Sequence, residues 1–126
     1  MKARFSFVAT PDRVTEARTL TEVTLMSWSL RPFVENARLI VSELVTNAVA
    51  ATPGKVVLLV LAREEDAVSL GVWDSDDTTP AIGGETPPSP NAESGRGLYL
   101  VGMLSDEHGS QRVETGGKIM WARLRT

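Results

Sequence analysis

Glu43 and Asn47 stand four residues apart in Ser42-Glu43-Leu44-Val45-Thr46-Asn47-Ala48, inside a run with helical apolar spacing. That spacing puts a carboxylate and a carboxamide on one helix face. Further along, Ser94-Gly95-Arg96-Gly97-Leu98-Tyr99-Leu100 reads as a loop that becomes a helix. Backbone amides at a helix N-terminus form a ready anion site. Between the two motifs an apolar strand stops at Asp74. An acid, an amide, a second acid and a glycine-rich turn, in that order, point to a nucleotide pocket.

The bulk numbers exclude several other chemistries. A chain of 126 residues is one domain by length. A net charge of −3 gives no basis for nucleic acid or an anionic membrane as the main partner. There are no cysteines, so thiolate zinc sites, disulfides and cysteine nucleophiles are ruled out. The single histidine, His108, argues against a His-rich metal cluster and against a Ser-His-Asp triad. No apolar run approaches the roughly 20 residues that span a bilayer, and the N-terminus lacks a signal-peptide apolar core. The expected location is cytoplasmic.

Periodicity supplies the elements that must position these residues. Arg4 to Val8 reads as a strand with Phe5 and Phe7 on one face. Thr10-Pro11-Asp12 reads as a helix start, with Thr10 as N-cap and Pro11 at the first helical position. The stripe of that helix runs through Val14, Ala17, Leu20 or Thr21, Thr24 or Leu25, and Trp28. Pro32 to about Ala51 is the strongest helix, on the spacing of Ala37, Val41, Leu44 and Ala48. Asn36, Glu43 and Asn47 lie along another of its lines. Lys55 to Arg63 predicts a strand covered on much of both faces, and Ala67 to Trp73 returns antiparallel after Glu64-Glu65-Asp66. Residues 75–96 carry four prolines and predict a long functional loop. Gly97 to about Leu104 predicts a short helix ending around Gly109. Gln111 to Glu114 and Lys118 to Leu124 predict a closing hairpin across Thr115-Gly116-Gly117. The order β-α-α-β-β-loop-α-β-β is α+β: a two-layer sandwich with helices on one face of a mainly antiparallel sheet. A Rossmann reading fails because no strand runs directly into a glycine-rich turn and helix. Walker A fails because no Gly-Lys-Ser/Thr occurs.

With these residues in place, the chain resembles the GHKL ATPase and histidine-kinase-like superfamily, which has the Bergerat ATP-binding fold. It looks closest to the anti-sigma-factor serine/threonine kinases of the actinobacterial type. The resemblance runs from about Arg4 to Arg125 as a single domain, with 75–96 as the lid. Glu43-Leu44-Val45-Thr46-Asn47 is similar to the family's E-x-x-x-N box, Asp74 to the aspartate that opens its G1 box, and Gly95-Arg96-Gly97-Leu98 to its G2 box. The ending Gly116-Gly117-Lys118-Ile119-Met120-Trp121-Ala122 resembles its last strand. The resemblance implies ATP and Mg²⁺ as cofactors. On it, Asn47 would ligate Mg²⁺ and Glu43 would accept a proton from serine or water. Asp74 would take the adenine amino group, while Gly95, Arg96, Gly97 and Leu98 would form the phosphate cradle. It also implies a sigma factor and a small antagonist protein as partners. A homodimer is a further expectation, and the first helix is the guess for a dimer or sigma-binding surface.

Two motifs depart from the family pattern. Asp74-Ser75-Asp76-Asp77-Thr78 stands where the family has D-x-G-x-G, which adds negative charge beside a polyanionic ligand. Ile119 stands where many relatives carry a threonine that helps hold the adenine. These departures motivate an alternative: a non-catalytic, pseudo-kinase partner-binding module. Outside the resemblance, Glu43 and Asn47 read as a solvated helix face, and Asp74 as the head of an Asx turn.

Overall fold

The structure, a computed structural model, describes residues 1–78 and 96–126. Gly95 and the lid expected over 75–96, apart from Ser75 to Thr78 and the backbone of Arg96, lie outside the described residues. The elements run β1 (Lys2–Val8), α1 (Arg13–Ser27), a 3-10 turn (Arg31–Phe33), α2 (Val34–Ala51), β2 (Val56–Arg63), β3 (Ala67–Asp74), α3 (Arg96–Leu104), β4 (Glu107–Arg112) and β5 (Lys118–Arg125). The five strands form one antiparallel sheet in the order β1-β2-β3-β5-β4. This is the α+β architecture expected from the order of elements.

The sheet is covered on one face. Val57, Leu59 and Leu61 of β2 are fully buried, and the residues between them are only partly so. The expected strand buried on both faces is therefore corrected: the side-chain period of two gives Leu58 and Val60 to the barer side. The covered face packs on α2, whose Ala37, Ile40, Val41, Leu44, Val45 and Ala48 are buried in the same core. Each large side chain removed from water there contributes about 1.5–3 kcal/mol. The core holds α2 in a fixed rotation, which sets where Glu43 and Asn47 point.

α1 lies against α2 along Ala17, Thr21 and Leu25, with Trp28 buried beyond its end. Thr21 and Leu25 thus take the core line where Leu20 and Thr24 were alternatives. The Thr21 hydroxyl donates to the Ala17 carbonyl at 2.8 Å, so its burial leaves no unsatisfied group. The helix starts at Arg13, three residues after the expected cap. Arg13 N–H donates to the Thr10 carbonyl at 3.0 Å and Val14 N–H to the Pro11 carbonyl at 3.3 Å, so Thr10-Pro11 makes a preceding turn instead.

The C-terminal third brings a second correction. Gly109 does not end a helix; it lies within β4, opposite Trp121 of β5. A Cβ at Gly109 would sit 2.9 Å from the Trp121 ring. The glycine is there so the strand can pass beneath an indole, a use of glycine that strand interiors share with helix ends.

Candidate functional site

Glu43 and Asn47 project one turn apart from α2, each half-buried beside the core line of that helix. α3 packs onto the same helix. Its Val101 is fully buried and Leu98 is 7% exposed, and both belong to the core. Leu98 therefore spends its side chain on packing, which leaves its backbone amide as the group able to meet a ligand. The first-turn amides of an α-helix have no intrahelical acceptor, so they remain available for an anion.

Gly97 fixes how closely α3 approaches. A Cβ on Gly97 would overlap the Glu43 carboxylate, lying 3.0 Å from its Cδ and 3.4 Å from its Cβ. The two motifs, far apart in sequence, are thus in direct contact. Gly97→Ala is expected to turn the Glu43 carboxylate out of place at a cost of only about 1 kcal/mol, because the end of a flexible side chain is what must move, measured by urea unfolding. In a Glu43→Ala background the same substitution is expected to cost roughly 0.5 kcal/mol or less, because the obstructing atoms are gone.

Asp74 ends β3, fully buried, and pairs in register with Lys118, the first residue of β5. The Lys118 ammonium, itself 1% exposed, donates to Oδ1 of Asp74 at 3.0 Å and reaches Oδ2 of Asp76 at 3.5 Å. Asp76 N–H also donates to Oδ1 of Asp74, at 2.9 Å, so Asp74 heads an Asx turn. Its Oδ2 is buried with no hydrogen-bond partner among the described residues. A carboxylate oxygen stripped of water with nothing bound to it is costly, and a donor from a ligand would relieve that cost.

The same contacts account for the missing glycines. Asp76 Oδ1 accepts from Thr78 N–H at 3.1 Å, and Asp77 Oδ1 accepts from Gly117 N–H at 2.9 Å. The added acids are turn acceptors that fasten the end of β3 to the start of β5, and Lys118 offsets part of their charge. Hydrogen bonds from the Thr78 backbone and hydroxyl hold the half-buried Asp76 carboxyl below the ordinary aspartate range, with a smaller contribution from Lys118. Among the described residues, no group of three or more His, Cys, Asp or Glu is arranged to hold a metal ion.

Lys118 is the residue that sequence reasoning missed. Ile119, expected beside the adenine, pairs with Trp73 and lies one step along β5. Alternation along a strand sends it to the opposite face from Asp74. The hairpin register from the Gly116-Gly117 turn sets Lys118 only opposite Arg112 of β4; its pairing with Asp74 joins strands far apart in the chain, and no local pattern marks it.

With the sheet, the helix pair and these contacts established, a scan of the sequence against protein-family profiles matches residues 7–124 to the histidine kinase-like ATPase domain. The chain belongs to that family. A search of individual curated proteins returned no significant match. The match spans nearly all of the chain and agrees with the antiparallel sheet and helix layer.

A histidine kinase-like ATPase domain implies ATP, typically with Mg²⁺, and the residues present fit that ligand. The unpaired Oδ2 of Asp74 suits a base amino group. The absent Cβ of Gly97 lets α3 press on Glu43, which brings its first turn beside that carboxylate. Asn47 offers one neutral oxygen, in keeping with Mg²⁺, which takes few protein ligands beside phosphates and waters. A separate groove of about 540 Å³ lies between α1 and the start of α2, lined by Arg18, Glu22, Met26, Arg31, Arg38 and Leu39 among others. None of its lining residues belongs to the site built around Glu43 and Asp74. Among the described residues no helix is long and apolar enough to cross a membrane.

Proposed function

We propose that this histidine kinase-like ATPase domain is a cytoplasmic regulatory kinase of the anti-sigma-factor type. It binds a sigma factor and transfers phosphate from Mg-ATP to a serine of a small antagonist protein. The observation that carries this reading is the contact of Gly97 with Glu43. It sets the candidate proton acceptor against the turn whose amides would face phosphate.

The roles follow from position. Asp74 holds the base through its free oxygen, and Asn47 ligates the ion. The first turn of α3 holds phosphate oxygens, with Gly95 and Arg96 completing the cradle. Glu43 takes the proton of the incoming serine hydroxyl. Bound Mg-ATP supplies the phosphoryl group and the charge that the ion neutralises. The exposed Val23 and Met26 on α1 and Leu39 on α2 give apolar surface for a sigma factor or a second copy.

The test uses ATP labelled at the γ-phosphate, with the antagonist candidates of the source cell as acceptors. Acid-stable, serine-linked label is expected with the wild-type chain, falling at least about 100-fold with Glu43→Ala. An ATP-binding preparation that labels no protein on serine, with Glu43→Ala indistinguishable from wild type, would refute the kinase reading. A second reading, a non-catalytic partner-binding module, is favoured by one observation: Lys118 already occupies Oδ1 of the base-reading acid. It predicts that Asn47→Ala leaves partner binding unchanged with or without nucleotide.

A further inference from the structure

We propose that Lys118 is a second base-reading residue, and that beside Asp74 it opens the pocket to guanine as well as adenine nucleotides. The inference rests on the reading of Asp74 as the residue that meets the base.

A lone aspartate at this place is a fixed acceptor. It welcomes the adenine amino group and repels the carbonyl that guanine carries at the same ring position, because a site built for a donor rejects an acceptor left unpaired against it. This chain does not present a lone aspartate. Its carboxylate has one oxygen free, Oδ2, and an ammonium 3.0 Å from the other oxygen. A lysine ammonium has three N–H donors and no acceptor. Two directions are taken, toward Asp74 Oδ1 and, at 3.5 Å, toward Asp76 Oδ2. The third has no acceptor among the described residues.

On the reading of Asp74 as the residue that meets the base, an acceptor and a donor lie side by side there, both buried. Adenine matches them with its amino group on Oδ2 and its ring nitrogen toward the ammonium. Guanine also matches them, in a shifted seat, with its ring N–H and amino group on Oδ2 and its carbonyl toward the ammonium. Nothing is left unpaired in either case. The position of Lys118 is secured by the β3–β5 register and by the Asx turn over Asp74, so the donor is held where a base edge would arrive.

The experiment is calorimetric titration of the wild-type chain with Mg-ATP, Mg-GTP and Mg-CTP. Mg-GTP is expected to bind within about tenfold of Mg-ATP, with Mg-CTP much weaker. Lys118→Met, checked for folding by thermal melting, is expected to weaken Mg-GTP relative to Mg-ATP by about 10- to 100-fold, the loss of one hydrogen bond from a charged donor. Saturable Mg-ATP binding with Mg-GTP more than about 100-fold weaker in the wild type would overturn the inference and leave the pocket reading standing. An unchanged GTP-to-ATP ratio in a folded Lys118→Met protein would overturn the role of Lys118. Absence of binding by every nucleotide would overturn the pocket and the inference together.

Discussion

Replacing Lys118 with methionine is expected to lower the free energy of unfolding by about 3–5 kcal/mol, the range for removing one partner of a buried ion pair. The side chains are nearly isosteric, so packing is a minor part of the effect. What changes is that Asp74, fully buried, loses its only cationic partner among the described residues and keeps an oxygen that has no hydrogen bond among them. Asp74→Asn should cost less, because its oxygen still accepts from Lys118 and from Asp76 N–H. A Lys118→Met, Asp74→Val double variant is expected to recover part of the loss, since an apolar pair needs no charge compensation. Urea unfolding of the three proteins checks this order. A cost below about 1 kcal/mol for Lys118→Met would place the pair in water and contradict the geometry.

The second large effect is expected at Gly117. Its φ is +80°, and a Cβ there would overlap the Asp74 carbonyl and lie 2.8 Å from the Trp73 indole nitrogen. That nitrogen donates to the Gly116 carbonyl at 3.0 Å, so the indole cannot withdraw without breaking a bond. Gly117→Ala therefore combines left-handed backbone strain with a collision between β3 and β5, together about 3 kcal/mol or more. Gly54 provides the control: its φ is +78°, and a Cβ would meet nothing within 4 Å. Gly54→Ala is expected to cost only the strain, about 1–2 kcal/mol. Equal costs at the two glycines, read from the same unfolding experiment, would mean that the close approach to Asp74 contributes nothing.

The parts of this structure legible in the sequence were those governed by local pattern. The spacing of Ala37, Val41, Leu44 and Ala48 predicted α2 nearly to its ends, and with it the shared face of Glu43 and Asn47. The Thr115-Gly116-Gly117 turn and the apolar alternation after it located β5. What pattern could not carry were relations between distant segments. Gly109 looked like a helix stop because its role depends on Trp121, twelve residues on and across a strand pair. The contact between Gly97 and Glu43 is tertiary, and no spacing rule announces it. Asp76 and Asp77 read as unwelcome charge near phosphate, but their carboxylates serve as turn acceptors whose partners include Gly117. Lys118 was passed over because a lysine after a turn is ordinarily solvated. Its burial follows from register, which assigns it the same face as Asp74.

The central claim is that Asp74, Asn47 and the first turn of α3 form one nucleotide pocket. Calorimetric titration of the purified chain with Mg-ATP, run in parallel on Asp74→Asn and Asn47→Ala, tests it most directly. The account predicts saturable binding by the wild type at a single site. Asp74→Asn, which leaves the free carboxylate oxygen exchanged for an amide or uncharged, is expected to weaken binding at least about tenfold. Asn47→Ala is expected to abolish the dependence of affinity on Mg²⁺. No heat of binding up to millimolar Mg-ATP, or binding indifferent to both substitutions, would contradict it.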